Sequence, residues 1–259
     1  MPPLSDPEEG KVGAMTTEEL PLRLEGWIKE QVLAAKGRGV VVGLSGGLDS
    51  AVVAALCRRA FPQDTLCAIL PCHSNPTDLE HARLVAATFS IPTVTITLDS
   101  AFNLMLSLMP GQGLDPSNPS TEHLAQANLK VRLRMVTLYY LANRLGYLVV
   151  GTGNRSERAV GYFTKYGDGG VDLMPLGNLV KLQVRALAGQ LGVPSPVIDK
   201  PPTAGLWEGQ TDEGEMGLTY EELDRYLVTG EATEEVRQKV EAMAAASAHK
   251  HCLPPLPPF

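Results

Sequence analysis

The chain has 259 residues, enough for one large domain with short appendages, and 44% of them are apolar, which is ample for a buried core. Its formal charge of −7, from 22 basic and 29 acidic residues, argues against a broad nucleic-acid footprint, because gripping a phosphate backbone needs a basic face. No cationic, apolar-cored leader opens it and no run reaches the roughly 18–20 apolar residues of a membrane span, so no membrane partner is expected and the chain reads as cytoplasmic. Cys57, Cys67, Cys72 and Cys252 form no CxxC pair, which suits free thiols in a reducing compartment; the Cys67/Cys72/His73 spacing is poor for zinc.

Residues 1–15, proline-rich and of mixed charge, read as a disordered tail. The stripe Leu20, Leu24, Trp27, Ile28, Val32, Leu33 predicts a helix over Leu20–Ala35. Strand-like runs follow at Val40–Leu44, Thr65–Pro71 and Thr93–Leu98, separated by helical segments at Ala51–Ala60 and Asp78–Phe89, with a fourth strand at Tyr147–Gly151. Strands alternating with helices of this length predict an α/β fold with a doubly wound parallel sheet. A helix near Ala101–Met109 and a loop at Pro110–Ser120 precede a long helix over Glu122–Leu145, whose leucines, valines and tyrosines point in nearly every direction. Such a helix is buried in the core or against a second copy of the chain, and a subunit interface is the favoured reading.

Beyond Gly151 come a glycine-rich aromatic loop, a helix near Lys181–Leu191, and residues 200–218, which carry too many Gly and Pro for regular structure. The loops Gly161–Val171 and Thr203–Met216 are expected to close over ligands. Helices at Tyr220–Val228 and Thr233–His249 complete a domain over 16–250, followed by a proline-rich tail at 251–259. The acids between Glu208 and Glu235 read as a solvated surface.

The chemistry concentrates in Gly43-Leu44-Ser45-Gly46-Gly47-Leu48-Asp49-Ser50, where the first strand breaks into a paired-glycine turn and opens a helix. Glycines let successive N–H groups converge, and the helix N-terminus adds unpaired donors, so the turn suits phosphate. A carboxylate at Asp49 repels phosphate unless a divalent cation bridges the two. The Gly-Lys-Ser/Thr ending of a Walker A loop is missing. Ligands of open α/β sheets bind beyond the carboxyl ends of the strands, so the turn after the fourth strand, Gly151-Thr152-Gly153-Asn154-Arg155-Ser156-Glu157, should face the same crevice and bring Glu157 toward Asp49.

The loop resembles the SGGxDS motif of enzymes that split ATP to AMP and pyrophosphate. Together with the stretch Gly161-Tyr-Phe-Thr-Lys-Tyr-Gly-Asp-Gly-Gly-Val-Asp172-Leu-Met-Pro-Leu176, the chain is similar to the NAD synthetase family from about Leu20 to Lys250. The resemblance implies a Rossmann-like adenine nucleotide alpha hydrolase fold of the N-type ATP pyrophosphatases and a homodimer. It implies a ligase that amidates deamido-NAD with ammonia through an acyl-adenylate, with Mg2+ and with ATP as co-substrate. It places Gly43 to Ser50, Thr152, Lys181 and Thr203 on ATP. Arg132, Lys165, Asp172, His249 and Lys250 fall on deamido-NAD, and Asp49 and Glu157 on the metal. No covalent nucleophile is implied. Gly205 departs from the acidic residue of many bacterial members and looks closer to archaeal and glutamine-dependent branches. Free ammonia is the expected nitrogen donor, because little chain remains outside the synthetase region. Rival readings are another ligase with this loop, of the GMP-synthetase or tRNA-thiolating kind, and a catalytically silent nucleotide-binding regulator.

Overall fold

The computed structural model describes residues 19–109, 119–207 and 209–258. The predicted tail at 1–15 and most of the loop at Pro110–Ser120 lie outside them. Four short apolar runs supply the sheet: β1 (Val40–Gly43), β2 (Thr65–Ile69), β3 (Thr93–Thr95) and β4 (Leu148–Val150). The helices among the described residues are α1 (Glu19–Ala34), α2 (Leu48–Ala60), α3 (Pro76–Thr88), α4 (Asp99–Leu108), α5 (Pro119–Leu145), α6 (Arg155–Ala159), α7 (Lys181–Leu191), α8 (Ser195–Ile198), α9 (Asp212–Met216), α10 (Tyr220–Thr229) and α11 (Glu234–Ser247), with one 3-10 turn at Ala248–Lys250.

Among the described residues all strand pairings are parallel and the order is β3-β2-β1-β4. β1 is central and its three valines are buried, as an interior parallel strand requires. Strand alternation sends Val40 and Val42 into the core beneath α1, α2, α3 and α7, and Val41 with Val149 against α5. Helices therefore cover both faces, and the expected doubly wound sheet is found. Val40 is in register with Thr65 and with Leu148, so β1 and β4 run side by side and end together. The chain order reverses between these two strands, which is where open α/β sheets hold ligands.

One expectation changes. Residues 200–218 are not wholly irregular: Thr211 caps α9 by accepting the Gly214 N–H, and Gly217 ends it at φ 60°. Within one chain α5 is covered on one side. Its inner side carries the buried Ala127 and Ala142, whereas Val136 and Tyr140 are each 59% exposed. A second core, built from Val160, Met216, Leu218, Leu223, Val236 and Val240, fastens α10 and α11 beside the ends of β1 and β4. Among the described residues no helix is long and apolar enough to cross a membrane.

Candidate active site

Gly46 has φ 83°, and a β-carbon there would stand 2.1 Å from the carbonyl oxygen of Asp78 on α3, so only glycine lets the loop after β1 pass this close. The loop is stapled by its own hydroxyls. Ser50 Oγ accepts the Ser45 N–H at 3.2 Å and donates to the Gly47 carbonyl at 2.9 Å, while Ser45 Oγ accepts from Gly47 N at 3.2 Å. Gly47 begins α2 without a side-chain cap, which leaves the first N–H groups of that helix open to an anion.

The end of β4 supplies the opposite wall. Asn154 and Glu157 form a capping box at the start of α6, each side chain accepting the other's backbone N–H, and this fixes the Glu157 carboxylate. The amide of Asn154 also reaches across to Asp49 Oδ1 at 2.9 Å. Between the two carboxylates stands Lys181, the first residue of α7, whose Nζ is 2.5 Å from Asp49 Oδ2 and 3.2 Å from Glu157 Oε1. The Tyr220 ring underlies this ammonium at 5.0 Å, and the Tyr220 hydroxyl donates to Asp212 Oδ2 at 3.0 Å.

Burial decides the electrostatics. It pushes the Glu157 carboxyl up to about 7, with Asp49 adding to the rise and Lys181 opposing it. Burial alone would lower the Lys181 ammonium, but Asp49 and Glu157 outweigh it and hold the group above its ordinary range. Burial raises Asp212, and its Oδ1 has no hydrogen-bond partner. The site is thus an anion-accepting loop facing the carboxylates of Asp49, Glu157, Asp168 and Asp212, with the Lys181 ammonium held among them and Arg185 and Lys200 on the same walls.

Ser45, Gly47, Leu48, Asp49, Ser50, Thr152, Glu157, Lys181 and Thr203 line one cavity of about 170 Å³. The structure therefore gathers most of the expected ATP-binding residues. Gly43 and Leu44 line an adjoining cavity of about 130 Å³, walled also by Ile69, Leu70, Leu79, Leu138 and Arg134. An apolar slot beside a phosphate loop fits a flat heterocycle, and nothing in the loop motif marked it.

The residues expected on deamido-NAD lie elsewhere and divide into two places. The segment after Gly161 runs alongside α5: Thr164 Oγ1 meets Asn128 at 2.7 Å, Arg132 donates to the Lys165 carbonyl at 3.3 Å, and Tyr139 donates to Asp172 at 3.1 Å. Gly167 is required there, since a β-carbon would come within 2.8 Å of Val131. Lys165 donates to the His249 carbonyl, and Lys250 donates to the carbonyls of Gly161 and Phe163 at 2.8 Å each. Arg132, Lys165, His249 and Lys250 thus form one cluster. Asp172 stands apart, accepting the edge N–H of Val149 at 2.8 Å. Gly205 has φ 62°, and a β-carbon there would lie 3.0 Å from an Asp78 carboxylate oxygen, a physical reason for this chain's departure to glycine.

A model of the NAD synthase family matches residues 21–254, nearly the whole of this architecture. The chain belongs to that family. It is 50% identical to an NH(3)-dependent NAD(+) synthetase of Carboxydothermus hydrogenoformans, over 93% of this chain and 97% of the relative. It is 41% identical to one of Methanocaldococcus jannaschii, over 93% and 96%. Among solved structures, the NMN synthetase of Francisella tularensis superposes with a TM-score of 0.88 at 35% identity, over 95% of this chain and all (100%) of the other. The NAD+ synthetase of Burkholderia pseudomallei superposes at 0.77 and 30% identity, over 93% and 92%. The fold is the Rossmann-like adenine nucleotide alpha hydrolase type of NAD synthetases.

Sequence reasoning missed Asn154, Asp212 and Tyr220. Asn154 carried a legible signal, an Asn three residues before Glu at a strand end, which is a capping-box pattern. The other two had none, because they reach the site only through tertiary packing.

Proposed function

We propose that the chain is an ammonia-dependent NAD synthetase, a carbon–nitrogen ligase that activates the carboxylate of deamido-NAD with ATP and passes it to ammonia. The observation that carries this reading is Lys181 held between Asp49 and Glu157 at the mouth of the phosphate-accepting loop. In the first step a carboxylate oxygen of deamido-NAD attacks the α-phosphorus and the bond to pyrophosphate breaks. In the second, ammonia adds to the acyl carbon, loses a proton, and AMP departs with the transferred oxygen. The loop N–H groups of Gly46 and of Leu48 to Ser50, with Thr152 and Thr203, hold the phosphates, and Lys181 meets their charge. The apolar slot at Leu44 and Ile69 takes the adenine.

The donor set fits Mg2+. Asp49 and Glu157 present oxygens that already converge on one cation, the Lys181 ammonium, and Asp212 Oδ1 is buried without a partner. Asp49 and Glu157 would hold the ion, which supplies charge neutralisation on the polyphosphate. Among the described residues no three His, Cys, Asp or Glu form a metal group by themselves, which suits an ion completed by nucleotide and water oxygens. Arg132, Lys165, His249, Lys250 and Asp172 engage deamido-NAD, and the exposed apolar side of α5 pairs with a second copy as a homodimer. The reduced thiols Cys57, Cys67 and Cys72, all buried, suit a cytoplasmic home.

Incubation with ATP, Mg2+, deamido-NAD and ammonium tests the reading. NAD, AMP and pyrophosphate should appear in equal amounts, and ADP with phosphate would contradict it. The likeness to an NMN synthetase favours one further arm with nicotinate mononucleotide, and preference for it by kcat/KM would move the substrate assignment to the mononucleotide.

A further inference from the structure

Glu157 and Lys181 come from separate helices, α6 and α7, yet their charged ends stand 3.2 Å apart. The contacts behind them explain how. Ser156 precedes Glu157 and is fully buried; its Oγ accepts the backbone N–H of Lys181 at 3.0 Å and donates to Asp224 Oδ1 at 2.5 Å. The other oxygen of Asp224 accepts the Leu182 N–H at 2.8 Å. Asp224 is 2% exposed and sits on α10, one helical turn after Tyr220, whose ring underlies the Lys181 ammonium. One buried carboxylate therefore caps α7 and, through one hydroxyl, ties its first residue to the first turn of α6. Val180, at the position before α7, has no polar side chain to do this.

We infer that Ser156 and Asp224 are positioning residues for the ligation, a brace that sets the Glu157–Lys181 spacing through the backbone and so presents both groups to metal-bound ATP. Neither side chain touches the nucleotide cavity; both act through the residues beside them. A buried carboxylate is costly unless its oxygens are hydrogen-bonded, and here both are. Asp224 lies in the acidic stretch that sequence reading assigned to solvent, and its burial against two helix N-termini gives it this separate role.

The inference rests on the proposed ATP chemistry of Glu157 and Lys181, and the experiment separates the two. Ser156→Ala, Asp224→Asn and the double variant would be compared with the unaltered chain. Readouts are pyrophosphate–ATP exchange, the Mg2+ concentration for half-maximal activity, KM for ammonium, and calorimetric affinity for ATP with Mn2+. Each single variant should lose at least about tenfold in kcat and in ATP–Mn2+ affinity, with KM for ammonium unchanged. The double variant should be no worse than the poorer single one, because the two act as a unit. A crystal structure of Ser156→Ala should show the Glu157–Lys181 contact lengthened. Variants that lose only thermal stability while kcat and affinity stay within about twofold would overturn the brace, as would multiplicative losses in the double variant. If Asp224→Asn does not fold, Ser156→Ala carries the test alone. An inactive unaltered chain would instead count against the proposed function, and the calorimetric arm still decides the brace.

Discussion

Asp49 and Lys181 stand 132 positions apart in the chain and meet at 2.5 Å, where the N-terminus of α2 faces that of α7. The contact ties together two walls of the cavity: the loop after β1 and the helix that follows the long segment after β4. With Glu157 at 3.2 Å, the ammonium neutralises a cluster that would otherwise hold uncompensated negative charge. Lys181→Met should therefore destabilise the fold by about 3 kcal/mol, the cost of leaving buried charge without its partner. Urea denaturation of the purified variant reads this directly. A change below about 0.5 kcal/mol would mean that the cluster is open to water and the lysine is not its counter-charge.

Asp49→Asn should abolish adenylation while leaving the fold intact. The amide keeps the shape and loses the charge that would hold magnesium against the polyphosphate. A loss of at least about 100-fold in pyrophosphate–ATP exchange is expected, on the scale of removing one preorganised charge-stabilising group. Glu157→Gln should behave likewise. Near-normal exchange by either variant would overturn the assignment of the carboxylates.

The pH dependence follows from Glu157. Its carboxyl is raised from 4.5 to about 7, so between those values the folded chain holds a proton that the unfolded chain has released. The contribution of this group to stability therefore falls as pH rises through that window and is level above it. Metal binding needs the ionised form, so the Mg2+ concentration for half-maximal activity should climb by up to about tenfold per unit as pH falls below about 7, and be flat above it. A Mg2+ requirement unchanged from pH 6 to 8 would contradict this.

The stretch after Gly161 is held by a clasp from the end of the chain. Lys250 donates to the carbonyls of Gly161 and Phe163, His251 packs edge-on to the Phe163 ring at 5.2 Å, and Lys165 donates to the His249 carbonyl. Lys250→Met should raise the rate of trypsin cleavage after Lys165 about tenfold, by making local opening easier. ATP, Mg2+ and deamido-NAD together should suppress cleavage in the unaltered chain. Equal rates with and without these ligands would show that substrates do not order this segment.

Much of this was legible in the sequence. The four strands, their helices and the pairing of Asp49 with Glu157 follow from apolar periodicity and from two glycine turns at strand ends, both local signals. What stayed hidden is non-local. α9 is only five residues long, and its Thr211 cap was masked by the surrounding Gly and Pro. The acidic run from Glu208 to Glu235 resembled a solvated face. Yet Asp212 and Asp224 are 5% and 2% exposed, because the second core draws α9 and α10 against the site. Burial of a charged residue depends on partners far along the chain, and no window of sequence contains them.

The central claim is that a carboxylate oxygen is transferred to the α-phosphorus before nitrogen arrives. Deamido-NAD labelled with oxygen-18 in its nicotinate carboxylate, incubated with ATP, Mg2+ and ammonium, tests it directly. Mass spectrometry of the products should find one labelled oxygen in AMP and none in pyrophosphate. Label in inorganic phosphate or pyrophosphate, or AMP without label, would contradict the account.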